Sequence, residues 1–206
     1  MRKLHLLFCL IMGLTLLLAS CGKKEEVSLN PYLGSNKLDG DGIPADFFQD
    51  VHIRKAFAYC FNWQALVDDV YSGEAVQAKS LVLPGMPGYD ADAPYYTTDL
   101  EKCAAEFKLA DVDKDGIPAG EDTDDVWSVG FRLQMLYNTG NSTRQTVAEV
   151  LQTNLSSVND KFVVEVLGLP WPAFLAAQNA YRIPIFIAGW QEDIHDPQNL
   201  DRKSVV

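Results

Sequence analysis

The sequence predicts an α/β fold built on a largely parallel βαβαβ sheet, preceded by helical segments and long loops. Three observations carry that prediction. Strand-like and helix-like patterns alternate from Val129 to Ala188, and such alternation implies crossover connections between parallel strands. Each helix-like run is preceded by a residue that can cap it or by a first-turn proline. The last apolar run is nearly continuous, as in a strand buried on both faces.

Taken in order, residues 30–49 are rich in Gly, Pro and Asp and read as an extended, looping segment. Asp50 is the expected N-cap of a helix with Ile53, Ala56, Phe57 and Cys60 on one face. Asn62 is expected to cap a second helix through Trp63, Leu66, Val67 and Val70 that stops at Gly73. Residues 74–98, with Pro84, Pro87, Pro94 and several tyrosines, have neither period and read as a long wrapped loop. Asp99 then caps a helix with Leu100, Cys103, Ala104 and Phe107 inward. After an acidic loop at 111–125, Val129–Tyr137 forms the first strand, and Asn141 or Ser142 caps a helix with Val147, Val150, Leu151 and Leu155 inward. Phe162–Leu167 is the second strand, Pro172 opens a helix carrying Phe174 and Leu175, and Ile183–Ala188 is the third strand.

The ends have a different character. Arg2 and Lys3 precede the apolar run Leu4–Leu18, so residues 1–20 read as an export leader, too short for a membrane span. Leu18-Ala19-Ser20-Cys21 fits a lipobox, with cleavage before Cys21 and acylation of its sulfur, and residues 21–29 then form a polar tether. Acyl chains contribute roughly 0.8 kcal/mol per buried CH₂, enough in combination to hold a protein at a membrane. At the other end, Asp201–Val206 resembles a translated sequencing adapter, so 200–206 is expected to be a scar and the native chain to continue past Asn199.

The formal net charge is −11, and the leader, with two basic residues and no acid, contributes nothing to the negative total. Nucleic-acid binding is dominated by lysine and arginine, so this balance argues against a nucleic-acid partner. With Cys9 in the leader and Cys21 at the lipid site, Cys60 and Cys103 remain. Two buried free thiols are the simpler reading, and a disulfide is the alternative that an oxidising compartment permits. His52 and His195 lack spaced partners for zinc.

Five stretches in order point to one family. Val51-His52-Ile53-Arg54-Lys55-Ala56-Phe57-Ala58-Tyr59, the turn Gly73-Glu74-Ala75-Val76, Tyr95–Cys103, Leu136-Tyr137-Asn138-Thr139-Gly140-Asn141 and Gly189-Trp190-Gln191-Glu192-Asp193-Ile194-His195-Asp196-Pro197 carry the match. Thr98 and Leu100 depart from the third motif. The chain resembles the extracellular solute-binding proteins of peptide-type ABC importers, family 5. The resemblance implies that 30–199 is a partial lobe of a periplasmic-binding-protein-like type II fold, since family members are larger and close two lobes over a solute. It further implies a peptide or similar solute, an ABC permease as partner, and an extracytoplasmic location at a bacterial membrane. Asp193 takes the place of an acid that pairs with the ligand's ammonium group, and Trp190 would supply an apolar wall.

A second candidate site is ionic. Asp111, Asp113 and Asp115 stand at positions 1, 3 and 5 of an EF-hand-like loop, with Gly116 at 6, the Ile117 carbonyl at 7 and Asp122 at 12. That spacing converges oxygen ligands on a calcium ion, although Asp122 is shorter than the usual Glu and Pro118 is unusual there. Asp39-Gly40-Asp41-Gly42 echoes the pattern without the outer acids. No catalytic constellation rises above chance, so an enzyme is not expected and no cofactor is required. The leading reading is a solute-binding module, and the rival is a calcium-stabilised surface or adhesion lipoprotein. An extracytoplasmic hydrolase has almost no residue-level support.

Overall fold

The structure is a computed structural model that describes residues 34–80, 82–93, 95–189 and 196. The leader, the tether with Cys21, and the expected scar at 200–206 lie outside the described residues. Among those residues no helix is long and apolar enough to cross a membrane.

A 3₁₀ turn at Phe47–Gln49 leads into helix α1, Val51–Cys60. Asp50 caps α1 as expected, accepting from the His52 and Ile53 N–H groups at 2.6 and 3.1 Å. The buried face is Ile53, Ala56, Phe57 and Cys60. Asn62 caps the next element through the Ala65 N–H, but the expected regular helix is a single turn, α2 (Trp63–Ala65), continued by a π-turn over Leu66–Val70. None of its residues is fully buried, although Trp63 and Leu66 pack against the edge of the core. Gly73, with φ of +77°, closes it. Helix α3, Leu100–Leu109, is capped by Asp99, and Cys103 and Phe107 face the core. Leu100 is 38% exposed, against expectation, because it sits at the free first turn.

A short helical turn, α4 (Val126–Val129), occupies the expected start of the first strand. Gly130 then reverses the backbone at φ of +81°, and β1 runs from Phe131 to Asn138. Asn141 caps the 17-residue helix α5, Ser142–Val158, which buries Val147, Ala148, Leu151 and Leu155. Val150 is only partly buried. Strand β2, Phe162–Leu169, helix α6, Trp171–Asn179, and strand β3, Ile185–Ile187, complete the order. The sheet is parallel with strand order β2-β1-β3. Strand β3 corrects the expectation for Ile183–Ala188. Among the described residues it pairs only with Met135–Tyr137, at a sheet edge, and Phe186 is 36% exposed. The strand enclosed on both sides is β1.

The core arises from alternation along β1. Phe131, Leu133 and Met135 join the larger cluster with α1, α3 and α5, while Leu136 points to a smaller one with Leu169, Phe174 and Ala177 of the other face. Phe131, Phe107 and Phe162 form the centre, with ring centroids of Phe107 and Phe162 4.4 Å apart and those of Phe131 and Phe162 4.7 Å apart. Burying each such ring contributes roughly 1.5–3 kcal/mol. Cys60 and Cys103 are buried in this cluster as free thiols.

Candidate functional site

The acidic loop is held at both ends by the core. Ala110, Val112 and Ala119 are buried, and the loop closes where Ala119 and Gly120 donate backbone hydrogen bonds, both of 2.8 Å, to the Ala110 and Lys108 carbonyls. Lys114 and Gly116 adopt φ of +66° and +89°, which turns successive side chains inward. One oxygen of each carboxylate is tied to backbone. Gly116 N–H donates to Asp111 Oδ2 at 3.2 Å, Asp115 N–H to Asp113 Oδ1 at 3.1 Å, and Ile117 N–H to Asp115 Oδ1 at 2.7 Å. Asp124 N–H donates to Asp122 Oδ1 at 2.9 Å.

The remaining oxygens are left over. Asp111 Oδ1 and Asp122 Oδ2 are buried without a hydrogen-bond partner. Carboxylate oxygens of Asp111, Asp113 and Asp115 lie within 4.8 Å of one another, and so do those of Asp113, Asp122 and Asp125. Desolvation in the loop pushes the Asp113 carboxyl above its ordinary range, and the charges of Asp115, Asp122 and Asp111 add to it. Lys114 extends away to pair with Asp46, so the basic residue of the loop does not neutralise this group. Ile117 keeps an exposed side chain at the rim.

Asp125 is the residue that sequence reasoning missed. It is fully buried and accepts from Val112 N–H at 2.8 Å and from Val126 N–H, and burial raises its carboxyl above the ordinary range. Its signal was present as an N-cap before Val126, yet it falls outside the twelve-residue loop pattern. The echo at Asp39–Gly42 does not repeat the arrangement. Asp39 accepts from Ser35 Oγ at 2.6 Å, and Asp41 faces Arg132 Nε at 3.4 Å, so these carboxylates are engaged with separate partners.

The second region is the carboxyl edge of the sheet, where ligands of such folds bind. Thr139 N–H donates to the Leu169 carbonyl at 2.7 Å, holding the ends of β1 and β2 level. Gly168 lets the Tyr137 ring pass over β2, since a Cβ there would lie 2.8 Å from its hydroxyl. Arg144, in the first turn of α5, donates to Asn138 Oδ1. Its Nη2 occupies space 2.7 Å from where a Cβ on Gly189 would be. Trp190 and Asp193 come directly after Gly189 in sequence but lie outside the described residues, as does His195. His52 is placed against Glu106, Nδ1 to Oε2 2.7 Å. A cavity of about 510 Å³ between α2 and the 75–95 loop, lined by Trp63, Val67, Leu83, Tyr89 and Tyr95, shares no lining residue with either region.

Residues 24–200 match the family model described as bacterial extracellular solute-binding proteins, family 5 Middle. The dipeptide-binding protein of Escherichia coli K12 is 31% identical over 151 residues, covering 73% of this chain and 26% of the relative. The oligopeptide-binding protein OppA of Bacillus subtilis is 26% identical over 168 residues, covering 80% of this chain and 28% of the relative. The chain thus spans about a quarter of the length of these relatives. Among solved structures, a periplasmic binding protein from Helicobacter pylori in complex with the peptide STSA superposes with a TM-score of 0.60 at 20% identity, over 82% of this chain and 28% of that one. HbpA2 of Haemophilus parasuis gives 0.60 at 21% identity, over 75% and 28%. The parallel sheet with its helices is therefore part of the type II periplasmic-binding-protein fold, and the chain belongs to the bacterial extracellular solute-binding proteins of family 5.

Proposed function

We propose that this chain supplies the sheet-edge part of a solute-binding receptor that delivers peptides or similar solutes to an ABC permease. The observation that carries the reading is the parallel β2-β1-β3 edge finished by the Asn138–Asn141 turn and Gly189, in a chain whose curated relatives include dipeptide- and oligopeptide-binding proteins. The relatives also include the heme-binding protein A of Haemophilus influenzae, so the solute class is set by residues beyond the shared fold. Asp193 receives the solute's ammonium group and Trp190 walls the neighbouring side chain. Acylated Cys21 tethers the receptor to the outer side of a bacterial membrane, with the leader removed.

An exposed ion pair contributes only about 0–1 kcal/mol, whereas micromolar affinity needs about 8 kcal/mol. The Asp193 contact therefore needs enclosure by a second lobe. With about a quarter of a relative's length, the chain alone is expected to show no measurable peptide affinity in calorimetric titration. Micromolar binding by the isolated chain would refute that requirement. Anchoring is tested by detergent-phase partitioning after expression in a lipoprotein-processing bacterium. The unaltered chain should enter the detergent phase and Cys21→Ala should not, and equal partitioning would remove the anchor.

A structural calcium ion in the acidic loop is the second element of the proposal. Asp111, Asp113, Asp115 and Asp122 would hold it, with the Ile117 carbonyl, and Asp125 would shape the loop beneath. The buried, partnerless Asp111 Oδ1 and Asp122 Oδ2 favour this reading, because leaving such oxygens unpaired is costly. The rival reading, a calcium-stabilised surface lipoprotein, rests on this loop and Cys21 alone and does not account for the family match.

A further inference from the structure

We propose that Cys60 and Cys103 are a disulfide-forming site that staples the end of α1 to the first turn of α3. Both residues are fully buried. Both lie in one core cluster, and the neighbouring Cys60 thiol together with burial raises the Cys103 thiol above its ordinary range. The flanking backbone is already stitched. Asp99 N–H donates to the Tyr59 carbonyl at 2.9 Å, and Thr98 Oγ1 donates to the Phe61 carbonyl at 3.0 Å. Thr98 Oγ1 in turn accepts from Trp63 N–H at 3.2 Å. The two segments are therefore held side by side by bonds on either side of Cys60, the proximity a disulfide requires. Family members are described as extracellular, and in such compartments a disulfide persists.

The bond forms by exchange with a disulfide donor, such as glutathione disulfide or a thiol–disulfide oxidoreductase. One cysteine thiolate attacks a donor sulfur and expels the donor's first thiolate. The second cysteine thiolate then attacks that cysteine's sulfur, forming the Cys60–Cys103 bond and releasing the donor's second thiolate. The two cysteines lose two protons and two electrons, and the donor disulfide is reduced to two thiols. In the folded protein both sulfurs are fully buried, out of reach of a donor disulfide. Oxidation therefore belongs to folding, before α1 and α3 close. The site is independent of the peptide-binding reading, since it needs neither Asp193 nor a second lobe.

The test is to refold the reduced full chain in a glutathione–glutathione disulfide buffer, block free thiols under denaturing conditions, and digest with trypsin. The expected product is peptide 56–79 joined to peptide 103–108, separated by reductant. The same buffer applied to already folded, reduced protein should yield at least tenfold less of that product in the same time. Recovery of both peptides singly, each blocked at its cysteine, after refolding overturns the proposal. Linked peptides formed equally fast from the folded protein overturn the assignment of the step to folding.

Discussion

At the scale of single residues, carboxylates do most of the local organisation. Asp50 caps α1 and also accepts, through Oδ2, from Asp111 N–H at 3.1 Å, so it ties the helix start to the first residue of the acidic loop. Asp50→Ala should therefore cost more than the ~1 kcal/mol of an ordinary cap, about 2 kcal/mol in urea denaturation. A loss below about 0.5 kcal/mol would show that neither bond matters. Asp113 and Asp125 are both raised above the ordinary carboxylate range, so without calcium the folded state holds protons that the unfolded chain has released. Stability contributed by these two groups then falls as pH rises through their folded values and is regained on acidification. Calcium reverses the balance, because it binds the deprotonated loop. At a hundred times its Kd the ion should add about 2.7 kcal/mol, roughly 5–10 °C in Tm. That gain should shrink as pH drops into the carboxylate range and vanish in the Asp113→Ala, Asp115→Ala double variant. A melting curve indifferent to millimolar calcium at neutral pH would reduce the loop to a solvated turn.

At the scale of elements, the turn into β1 is tightly constrained. Gly130 has φ of +81°, and a Cβ there would lie 2.5 Å from both the Cβ and the carbonyl oxygen of Lys161. Gly130→Ala combines a left-handed backbone cost with a backbone clash that no rotamer relieves, about 2–3 kcal/mol together. Thermal unfolding of the variant measures it, and an unchanged Tm would contradict the packing described for β1 against β2. The caps Asp50, Asn62, Asp99 and Asn141 were legible because side-chain oxygens and apolar spacing are local signals. The π-turn at Leu66–Val70 was not, since its apolar spacing is that of an ordinary helix. Likewise β3 reads as a buried strand from its composition. Its edge position depends on strand order, which no local pattern encodes.

At the scale of the whole molecule, the parallel sheet and the acidic loop were both visible in the sequence, one as alternation and the other as spacing. Asp125 was hidden because its role depends on α4 folding back beneath the loop, not on distance along the chain. The carboxyl edge of the sheet is described as far as Gly189, where Arg144 fills the space a side chain would take. The roles of Trp190 and Asp193, just beyond Gly189 in the chain, rest on the family motif. The most direct test of Asp193 as the solute's anchor grafts residues 34–200 into the matching segment of the Escherichia coli dipeptide-binding protein, with which the chain shares 31% identity. Dipeptide affinity of the cooperatively folded hybrid is then compared with that of its Asp193→Asn form by calorimetry. The hybrid should bind with micromolar or tighter affinity. The substitution should cost at least tenfold for free-amine dipeptides, and less than about twofold for N-acetylated ones. Equal losses for both ligand types, or no dipeptide binding by the folded hybrid, would contradict the assignment.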